Sequence, residues 1–258
     1  MKHTHTPKPQ TTSWDPVNKW YQTIVGEEGH YYHQQVILPN LLKTMNLQPQ
    51  DSIIDFACGP GVLARKIPKG TKYLGVDISP GLIKAAKDQD KTGDHHFIVG
   101  DVTNNLSFDK QDYTHAAIIL ALQNVEKPEQ AIKNAWNHLK KGGRFFIVLN
   151  HPCFRIPRQS SWGVDESKKI QYRRIDRYMQ PLQIPINMTP GAKGAPKATL
   201  SFHHPLSSYT KWLYDAGFLI ETIDEWCSDK VSTGSKAKME NRSREEFPLF
   251  MLISAKKV

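Results

Sequence analysis

Short apolar runs alternate with amphipathic stretches between residues 51 and 150, and this alternation constrains the fold more than any other feature of the sequence. The runs are rich in branched and aromatic side chains, as buried strands are. Strand-like runs separated by helix-length segments predict a parallel sheet with crossover helices on both faces. The predicted strands are 52–56, 73–76, 96–99, 116–120 and 145–149.

Helix signals fall between these runs. Pro80 and Pro128 suit the first turn of a helix, and Ser79 suits the capping position before the first of them. Gly142 and Gly143 are expected to end the last helix and to turn the chain into the fifth strand. The predicted crossover helices are about 61–67, 80–88 and 128–139.

The regions on either side of this pattern differ from it. After a flexible tail over 1–13, residues 14–47 are predicted to form an N-terminal helical appendage. Residues 151–205 show no sustained period, and so long a segment in a compact domain is typical of a substrate lid or a disordered insert. We then expect a helix near 206–216, a strand over 218–226, a polar stretch over 228–246 and a last strand near 247–255.

Composition excludes several classes of protein. No stretch approaches the ~20 apolar residues that span a bilayer, and no signal peptide precedes the pattern, so we expect a cytoplasmic protein that does not bind membranes. Cys58, Cys153 and Cys227 have neither close pairing nor ligand spacing, so neither disulfides nor a metal site is expected. The net charge of +9 permits nucleic-acid binding, but no long basic run concentrates it.

Three acids follow three successive predicted strands. Asp55 opens a turn in which Gly59 and Gly61 allow positive φ and close approach to a ligand, although such a turn alone is equally a tight connection. Asp77 ends the second strand, where an acid accepts hydrogen bonds from ribose hydroxyls. Asp101 follows the third strand, at the same sheet edge. Together the acids predict a site for one ribose-bearing ligand.

These motifs, together with the segment before the fifth strand, form a recognisable combination. The matching segments are 54–61, 74–79, 100–102 and 139–145. In this order they resemble the class I S-adenosylmethionine-dependent methyltransferases over about residues 40 to 150. The resemblance implies a doubly wound, Rossmann-like α/β fold with a mostly parallel seven-stranded sheet. It also implies a methyltransferase domain over 14–258 and S-adenosyl-L-methionine as the cofactor.

The resemblance also implies roles for individual residues. Gly59 and Gly61 would border the methionine part of the cofactor, Asp77 would hold the ribose, and Asp101 with Val102 would meet the adenine. A tyrosine of the N-terminal helices would cover the cofactor carboxylate, with packing against the domain as the alternative. The expected cofactor residues are Tyr21, Tyr32, Asp55, Ala57, Gly59, Gly61, Asp77, Ile78, Asp101, Val102 and Leu120.

Ala57 departs from the family pattern, which has a glycine at this position. Alanine disfavours positive φ because of its Cβ atom. We therefore expect a negative φ at Ala57.

Candidate substrate residues lie after the fifth strand. Histidine is easily poised as a base near neutral pH, so His151 and His203 are the predicted catalytic residues, with a structural or surface role as the alternative. Arginines and tyrosines of 172–178 predict contacts with an anionic or planar acceptor, with internal salt bridges as the alternative. The run 240–246 is predicted to be a solvated loop, with a substrate-facing role as the alternative.

The expected function is methylation of a small metabolite, anionic or aromatic, at oxygen, nitrogen or carbon. An RNA methyltransferase is an alternative that the charge permits. Residues 120–125 nevertheless lack the Asn/Asp-Pro-Pro-Tyr/Phe signature that resembles enzymes methylating base amino groups. A non-catalytic binding module with the same fold is a second alternative. The sequence does not indicate the oligomeric state.

Overall fold

A seven-stranded sheet forms the centre of the computed structural model, and helices pack on both of its faces. No helix among the described residues is long and apolar enough to cross a membrane. The structure describes residues 29–106, 112–189 and 197–258, with Thr12, 14–17, Trp20, Thr23 and Gly26 nearer the N terminus.

The strands include the central sheet and two separate hairpins. They are β1 Ser52–Phe56, β2 Lys72–Asp77, β3 His96–Val99, β4 Tyr113–Ile119, β5 Leu139–Asn150, β6 Ser160–Asp165, β7 Ile170–Ile175, β8 Leu182–Asn187, β9 Ala198–His203, β10 Phe218–Trp226 and β11 Phe250–Lys257.

The α-helices connect or cover these strands. They are α1 Leu38–Met45, α2 Pro80–Gln89, α3 Pro128–His138, α4 Leu206–Ala216 and α5 Ala237–Glu246. A π-helical segment, His33–Ile37, leads into α1, and short 3-10 turns cover Asp15–Val17, Ala64–Lys66 and Leu122–Asn124.

The strand order confirms the predicted doubly wound architecture. The central sheet runs β10-β11-β5-β4-β1-β2-β3. Strands β1 to β5 pair in parallel, and β11 is antiparallel to both β5 and β10. The carboxyl ends of the parallel strands therefore meet at one edge, where α/β folds bind their ligands.

Alternate side chains of the strands build two cores. Ile54 and Phe56 pack on the face covered by α3 and α4, whereas Ile53 packs on the face covered by α1 and α2. The central strands are buried on both faces, which explains their nearly continuous apolar runs.

The predicted crossover helix over 61–67 is wrong. Only a 3-10 turn, Ala64–Lys66, forms there. Gly61 has a φ of +73°, which delays the start of any helix. Pro68 keeps the preceding Ile67 extended, so too few residues remain for an α-helix.

The predicted role of Gly142 and Gly143 is also wrong. Helix α3 ends at His138, and both glycines lie inside β5. The pairing of β4 with β5 is irregular here, since Tyr113 pairs with Leu139 but His115 pairs with Arg144. Gly142 has a φ of +77°, which suits such a bulge.

The segment 151–205 is more regular than its sequence predicts. Its described part forms two antiparallel hairpins, β6 with β7 and β8 with β9. Most side chains of β6 and β7 are exposed or half-buried, so burial imposes no clear alternation on their sequence.

The prediction of a solvated loop over 240–246 is wrong as well, because this run lies in helix α5. In the described part of this helix only Ser243 is buried, and its hydroxyl donates to Gln171 of β7. A polar helix with one buried contact lacks the apolar period that marks helices in a sequence. Helix α5 thus covers the first hairpin.

Candidate functional site

The loop after β1 contains three residues with left-handed backbone. Ala57 has a φ of +55°, so the expected negative φ is wrong. Gly59 and Gly61 have φ values of +56° and +73°. Strained alanine of this kind costs about 1 kcal/mol and is found where the surrounding structure imposes it. The sharp exit of the chain from β1 therefore requires this geometry even though the chain has alanine where the family pattern has glycine.

The two glycines serve different purposes. A Cβ atom at Gly61 would lie 2.9 Å from a ring carbon of Phe97, so this glycine permits packing between the loop and the sheet. A Cβ atom at Gly59 would meet nothing within 4 Å. Because protein packing leaves the space beside Gly59 open, the loop fits a ligand that approaches its backbone.

Asp77 joins the ends of β1 and β2. Its carboxylate accepts hydrogen bonds from the backbone N–H groups of Gly59, at 2.9 Å, and Ser79, at 2.8 Å. Burial raises the pKa of Asp77, and these two bonds oppose the rise. Each carboxylate oxygen has a second lone pair, so the predicted contact with ribose hydroxyls remains geometrically open.

Asp15 is a further acid at this edge that the sequence did not single out. It accepts a 2.6 Å hydrogen bond from the Ser79 hydroxyl and a 2.9 Å bond from the backbone of Gly81. Ser79 caps α2 as predicted, by accepting from Leu82. Asp15 therefore places a negative charge at the N terminus of α2, where the helix dipole favours it, and this charge helps to raise the pKa of Asp77.

Asp55 is fully buried at the end of β1. Burial raises its pKa to about 7, the nearby charge of Asp77 adds to the rise, and a 2.6 Å hydrogen bond from the Tyr73 hydroxyl opposes it. A buried acid of this kind favours a cation beside it, because a positive charge would compensate the cost of ionisation.

The residues expected beside adenine lie at the ends of β2 and β3. Ile78 is 42% exposed although it is apolar, as a ring-packing surface would be. Asp101 accepts from the backbone and hydroxyl of Thr103, which orders the turn. Val102 is buried in the core, and its carbonyl accepts from Asn134.

A small cavity of about 50 Å³ lies against the loop after β1. Asp55, Ala57 and Gly59 line it, together with Ile119 at the end of β4. Leu120, predicted to contact the cofactor, follows Ile119 with a φ of +51°. Non-glycine residues with positive φ therefore occur after two neighbouring strands, β1 and β4, where they face the same edge.

His33 also lines the small cavity, and sequence reasoning missed it. Its Nδ1 is buried and has no hydrogen-bond partner among the described residues. Burial lowers the pKa of His33 to about 4, so the imidazole is neutral at physiological pH. A buried, unsatisfied nitrogen on a residue that lines such a cavity is a signal that only three-dimensional structure provides.

A second cavity of about 310 Å³ lies at the same edge, nearer to β11. Four aromatic side chains line it: Tyr32, Phe154, Trp162 and Phe247. The Tyr32 hydroxyl lies 3.1 Å from the Ser228 hydroxyl, which joins the N-terminal segment to the loop after β10. Tyr32 thus lines this larger cavity, not the small one.

Three arginines, Arg155, Arg173 and Arg244, complete the walls of the larger cavity. Arg173 belongs to the arginine and tyrosine cluster noted in the sequence, whereas its neighbour Arg174 is exposed and pairs with Asp176. Nothing in the sequence pattern brings Arg155 and Arg244 to the same place, because they are nearly ninety residues apart.

His151 is 1% exposed and both of its ring nitrogens have partners. Nδ1 accepts from the backbone of Cys153, and Nε2 lies 2.6 Å from the Glu225 carboxylate, to which it donates. Burial lowers the pKa of His151, and Glu225 opposes this. The ring packs against Phe154 with centroids 4.8 Å apart, which places His151 behind the wall of the larger cavity.

Two other predicted residues lie elsewhere. The Nε2 of His203 donates to the carbonyl of Tyr178 at 2.7 Å, and burial lowers the pKa of His203. His203 lines neither cavity. Tyr21 falls outside the described residues, so its expected contact stays a prediction.

Comparison with known proteins identifies the family. Residues 54–147 match the family model described as a methyltransferase domain. The crystal structure of an S-adenosylmethionine-dependent methyltransferase from Mesorhizobium loti is similar, with a TM-score of 0.65 and 25% identity over 84% of this chain and 96% of that one. Together these matches support the class I S-adenosylmethionine-dependent methyltransferase family for this chain. S-adenosylmethionine is therefore the cofactor of this methyltransferase.

Curated relatives of this methyltransferase match only in part. A ubiquinone/menaquinone biosynthesis C-methyltransferase, UbiE, from Zymomonas mobilis is 31% identical over 107 residues, which cover 40% of this chain and 44% of the relative. Ribosomal RNA small subunit methyltransferase C from Photorhabdus laumondii is 31% identical over 121 residues, covering 43% and 35%. The chain thus spans less than half the length of these relatives, and their names indicate different acceptors.

Proposed function

We propose that this methyltransferase transfers the methyl group of S-adenosylmethionine to a small molecule held in the larger cavity. The observation that carries the proposal is the position of two consecutive residues at the sheet edge. Tyr32 lines the larger cavity and His33 lines the small one. One short segment therefore borders both cavities. A methyl donor in the small cavity and an acceptor in the larger one would meet beside this segment.

The cofactor would lie along the ends of β1, β2 and β3. In this proposal the ribose hydroxyls donate to Asp77, the adenine packs near Ile78, and the methionine part lies beside Gly59, where the space is open. S-adenosylmethionine carries positive charge on its sulfonium and ammonium groups. The buried carboxyl group of Asp55 favours such a cation.

The size and lining of the larger cavity support a small acceptor. A volume of about 310 Å³ lies within the usual range of small-molecule sites, roughly 300 to 1,000 Å³. Its walls come from Phe154 and Trp162 of the segment after β5, Phe247 after α5, and Tyr32 before α1. A polymer such as RNA would need an open basic surface, whereas these aromatic walls form a compact pocket.

S-adenosylmethionine, when bound, would supply an electrophilic methyl group to the acceptor and would leave as S-adenosylhomocysteine. The residues of the chain align the acceptor and exclude water. A proton leaving the acceptor would pass to solvent. The pKa of about 4 makes His33 a weak base, so we assign it a hydrogen-bonding role toward the ligands.

His151 fits a positioning role in this proposal. Its carbonyl accepts from the backbone N–H groups of Phe154 and Arg155, and its ring is fixed by Glu225 and by the backbone of Cys153. The histidine thereby anchors the turn that brings Phe154 and Arg155 into the larger cavity. Because both ring nitrogens are occupied, proton removal by His151 would first require these bonds to break.

A cavity-filling variant tests the proposal. Ser228→Trp should abolish formation of S-adenosylhomocysteine from S-adenosylmethionine and a low-molecular-weight metabolite fraction, while S-adenosylhomocysteine binding measured by calorimetry is retained. Ser207→Trp, at an exposed position of α4, is the matched control and should keep both activities. Turnover of purified RNA but not of the metabolite fraction by the wild type would contradict the proposal.

A further inference from the structure

Three arginines line the larger cavity, and they come from separate elements. Arg155 follows β5, Arg173 lies in β7 and Arg244 lies in α5. Arginine remains protonated in proteins, so the cavity wall carries three permanent positive charges. Burial lowers the pKa of Arg155, and the charge of Arg173 acts in the same direction, as repulsion between neighbouring cations does.

No carboxylate of the described residues compensates these charges. Salt bridges occur at other arginines: Arg174 pairs with Asp176, at 3.0 Å, and Arg242 pairs with Glu246, at 2.8 Å. None of the three cavity arginines forms such a pair within the described part of the chain, and no acid lines the cavity. Arginines one or two residues away in sequence thus form ion pairs at the surface.

Neutral oxygens hold the three arginines in place instead. Arg155 donates to the side-chain oxygen of Asn150 at 2.7 Å. Arg173 donates to the carbonyl of Phe154, at 2.8 Å, and to the hydroxyl of Ser160, at 2.7 Å. These bonds fix the side chains without cancelling their charge. A guanidinium has five N–H donors, so each group keeps donors for a ligand.

Arg244 is held in a similar way by a neutral partner. Its Nε and Nη2 donate to the hydroxyl of Ser232, at 3.3 and 3.0 Å. The bond links α5 to the loop after β10. Fixing each arginine on a neutral partner lowers the entropy that binding an anion would cost.

Aromatic rings give the same cavity flat surfaces. Trp162 and Phe247 pack edge to face with centroids 5.5 Å apart, and Phe154 contacts Phe247 in the same manner at 5.6 Å. The guanidinium carbon of Arg173 lies 5.0 Å from the centre of the Trp162 ring. The cavity therefore combines surfaces for a planar ring with donors for an oxyanion.

We infer that the methyl acceptor is a small aromatic molecule bearing an oxyanion, a carboxylate or a phosphate, which Arg155, Arg173 and Arg244 bind. The inference rests on the proposed function, because it assigns the larger cavity to the acceptor. The rings orient the planar part, and the guanidinium fork fixes the anionic end.

Calorimetry in the presence of saturating S-adenosylhomocysteine tests this inference with simple probes. These are 4-hydroxybenzoate, phenyl phosphate and the neutral 4-hydroxybenzamide. We expect at least one of the anions to bind roughly tenfold more tightly than the amide, because charge-assisted contacts replace neutral ones. The tighter anion tells whether the site takes a carboxylate or a phosphate.

Neighbouring arginines provide matched controls. Arg173→Gln and Arg244→Gln should each weaken binding of the tighter anion by roughly tenfold, whereas Arg174→Gln and Arg242→Gln should leave it unchanged. All four variants should bind S-adenosylhomocysteine as the wild type does, which shows that they fold.

Two results would overturn the inference while sparing the proposed function. One is S-adenosylhomocysteine binding by the wild type with no binding of either anion at millimolar concentration. The other is equal affinity for the anions and the amide. Failure of the wild type to bind S-adenosylhomocysteine would instead refute the proposed function and the inference together.

Discussion

The sheet edge at the ends of β1, β2 and β3, where we propose that the cofactor binds, is called the cofactor edge. It lies beside the larger cavity, but the two are built from different parts of the chain. At the cofactor edge the backbone forms the surface: Ala57 and Gly59 have positive φ, and Asp77 ties the loop to β2. In the larger cavity side chains form the surface, and they come from the segment after β5 and from α5. A backbone surface suits an invariant cofactor, whereas side chains on separate elements allow the acceptor to differ between relatives.

The two sites also differ in charge. Asp55 and Asp77 lie at the cofactor edge, and burial raises the pKa of both. The larger cavity has arginines instead. A negatively charged edge suits a cofactor with a sulfonium, and a positively charged cavity suits an anionic acceptor. The charge of each site is thus complementary to that of its own proposed ligand. A variant in one site should therefore leave ligand binding at the other site unchanged.

The largest expected effect comes from Asp77. Asp77→Ala should weaken S-adenosylhomocysteine binding by roughly 1 to 3 kcal/mol, since charge-assisted hydrogen bonds to the ribose are lost. The variant should also unfold at lower urea concentration, because the N–H groups of Gly59 and Ser79 lose their acceptor. Asp77→Asn, which keeps one acceptor oxygen, should fold better.

Asp88→Ala, at an exposed position of α2, is the control for Asp77. Calorimetry and urea unfolding should not distinguish it from the wild type beyond about 0.5 kcal/mol. If a folded Asp77 variant bound S-adenosylhomocysteine with wild-type affinity, the ribose would lie elsewhere. The proposed difference between the two sites would then lose its support.

Asp55 gives the cofactor edge a pH dependence. Because its pKa in the folded protein is about 7, the folded protein keeps a proton between about pH 4 and 7 that the unfolded chain releases. Stability should therefore fall as the pH rises through this window. Asp55→Asn removes the titration, so its unfolding free energy should fall less than that of the wild type between pH 5 and 8.

Urea titrations at several pH values measure this difference. Parallel pH profiles for the wild type and Asp55→Asn would show that Asp55 titrates normally. Saturating S-adenosylmethionine should reduce the wild-type slope, since a cation beside Asp55 favours its ionised form.

The backbone strain at Ala57 predicts a smaller effect. Ala57→Gly should raise the unfolding free energy by about 1 kcal/mol, because glycine adopts a φ of +55° without a Cβ clash. Ala85→Gly, inside α2, should lower it by about 1 kcal/mol. Destabilisation of similar size in both variants would mean that Ala57 is unstrained in solution.

A comparably small effect, on ligand binding, is expected at the segment that borders both cavities. His33→Ala should weaken S-adenosylhomocysteine binding by about 1 kcal/mol, roughly fivefold, if a ligand satisfies the buried imidazole. His30→Ala, three residues earlier and exposed, should not change the affinity. Equal affinities of the wild type, His33→Ala and His30→Ala for S-adenosylhomocysteine would show that His33 does not contact the ligand.

The sequence predicts the strands of the central sheet well and two elements after β5, hairpin β6–β7 and helix α5, poorly. Strands β1 to β5 are buried on both faces, so their apolar runs stand out, and the acids at their ends follow from strand position. Hairpin β6–β7 and helix α5 are half-exposed, and they carry no comparable period. The convergence of Arg155 with Arg244 depends on how these elements pack, which no local spacing encodes.

The predictions for Ala57 and His151 considered local chemistry alone, and in both cases an effect from elsewhere in the fold opposes it. The intrinsic preference of Ala57 for negative φ is overridden by the turn that β1 must make. Histidine after a strand suggested a base at His151, but Glu225 comes from β10 and occupies the ring nitrogen. Partners that arrive from distant strands decide the role of such a residue, and these are visible only after folding.

Hydrogen exchange measured with and without S-adenosylhomocysteine tests the central claim, that cofactor and acceptor occupy separate neighbouring sites. The ligand should slow exchange in peptides covering 55–63 and 77–82, and it should leave 154–162 and 244–249 unchanged. Adding the tighter-binding aromatic anion should then slow exchange in 154–162. Protection of 154–162 by S-adenosylhomocysteine alone, with 55–63 unaffected, would contradict the account.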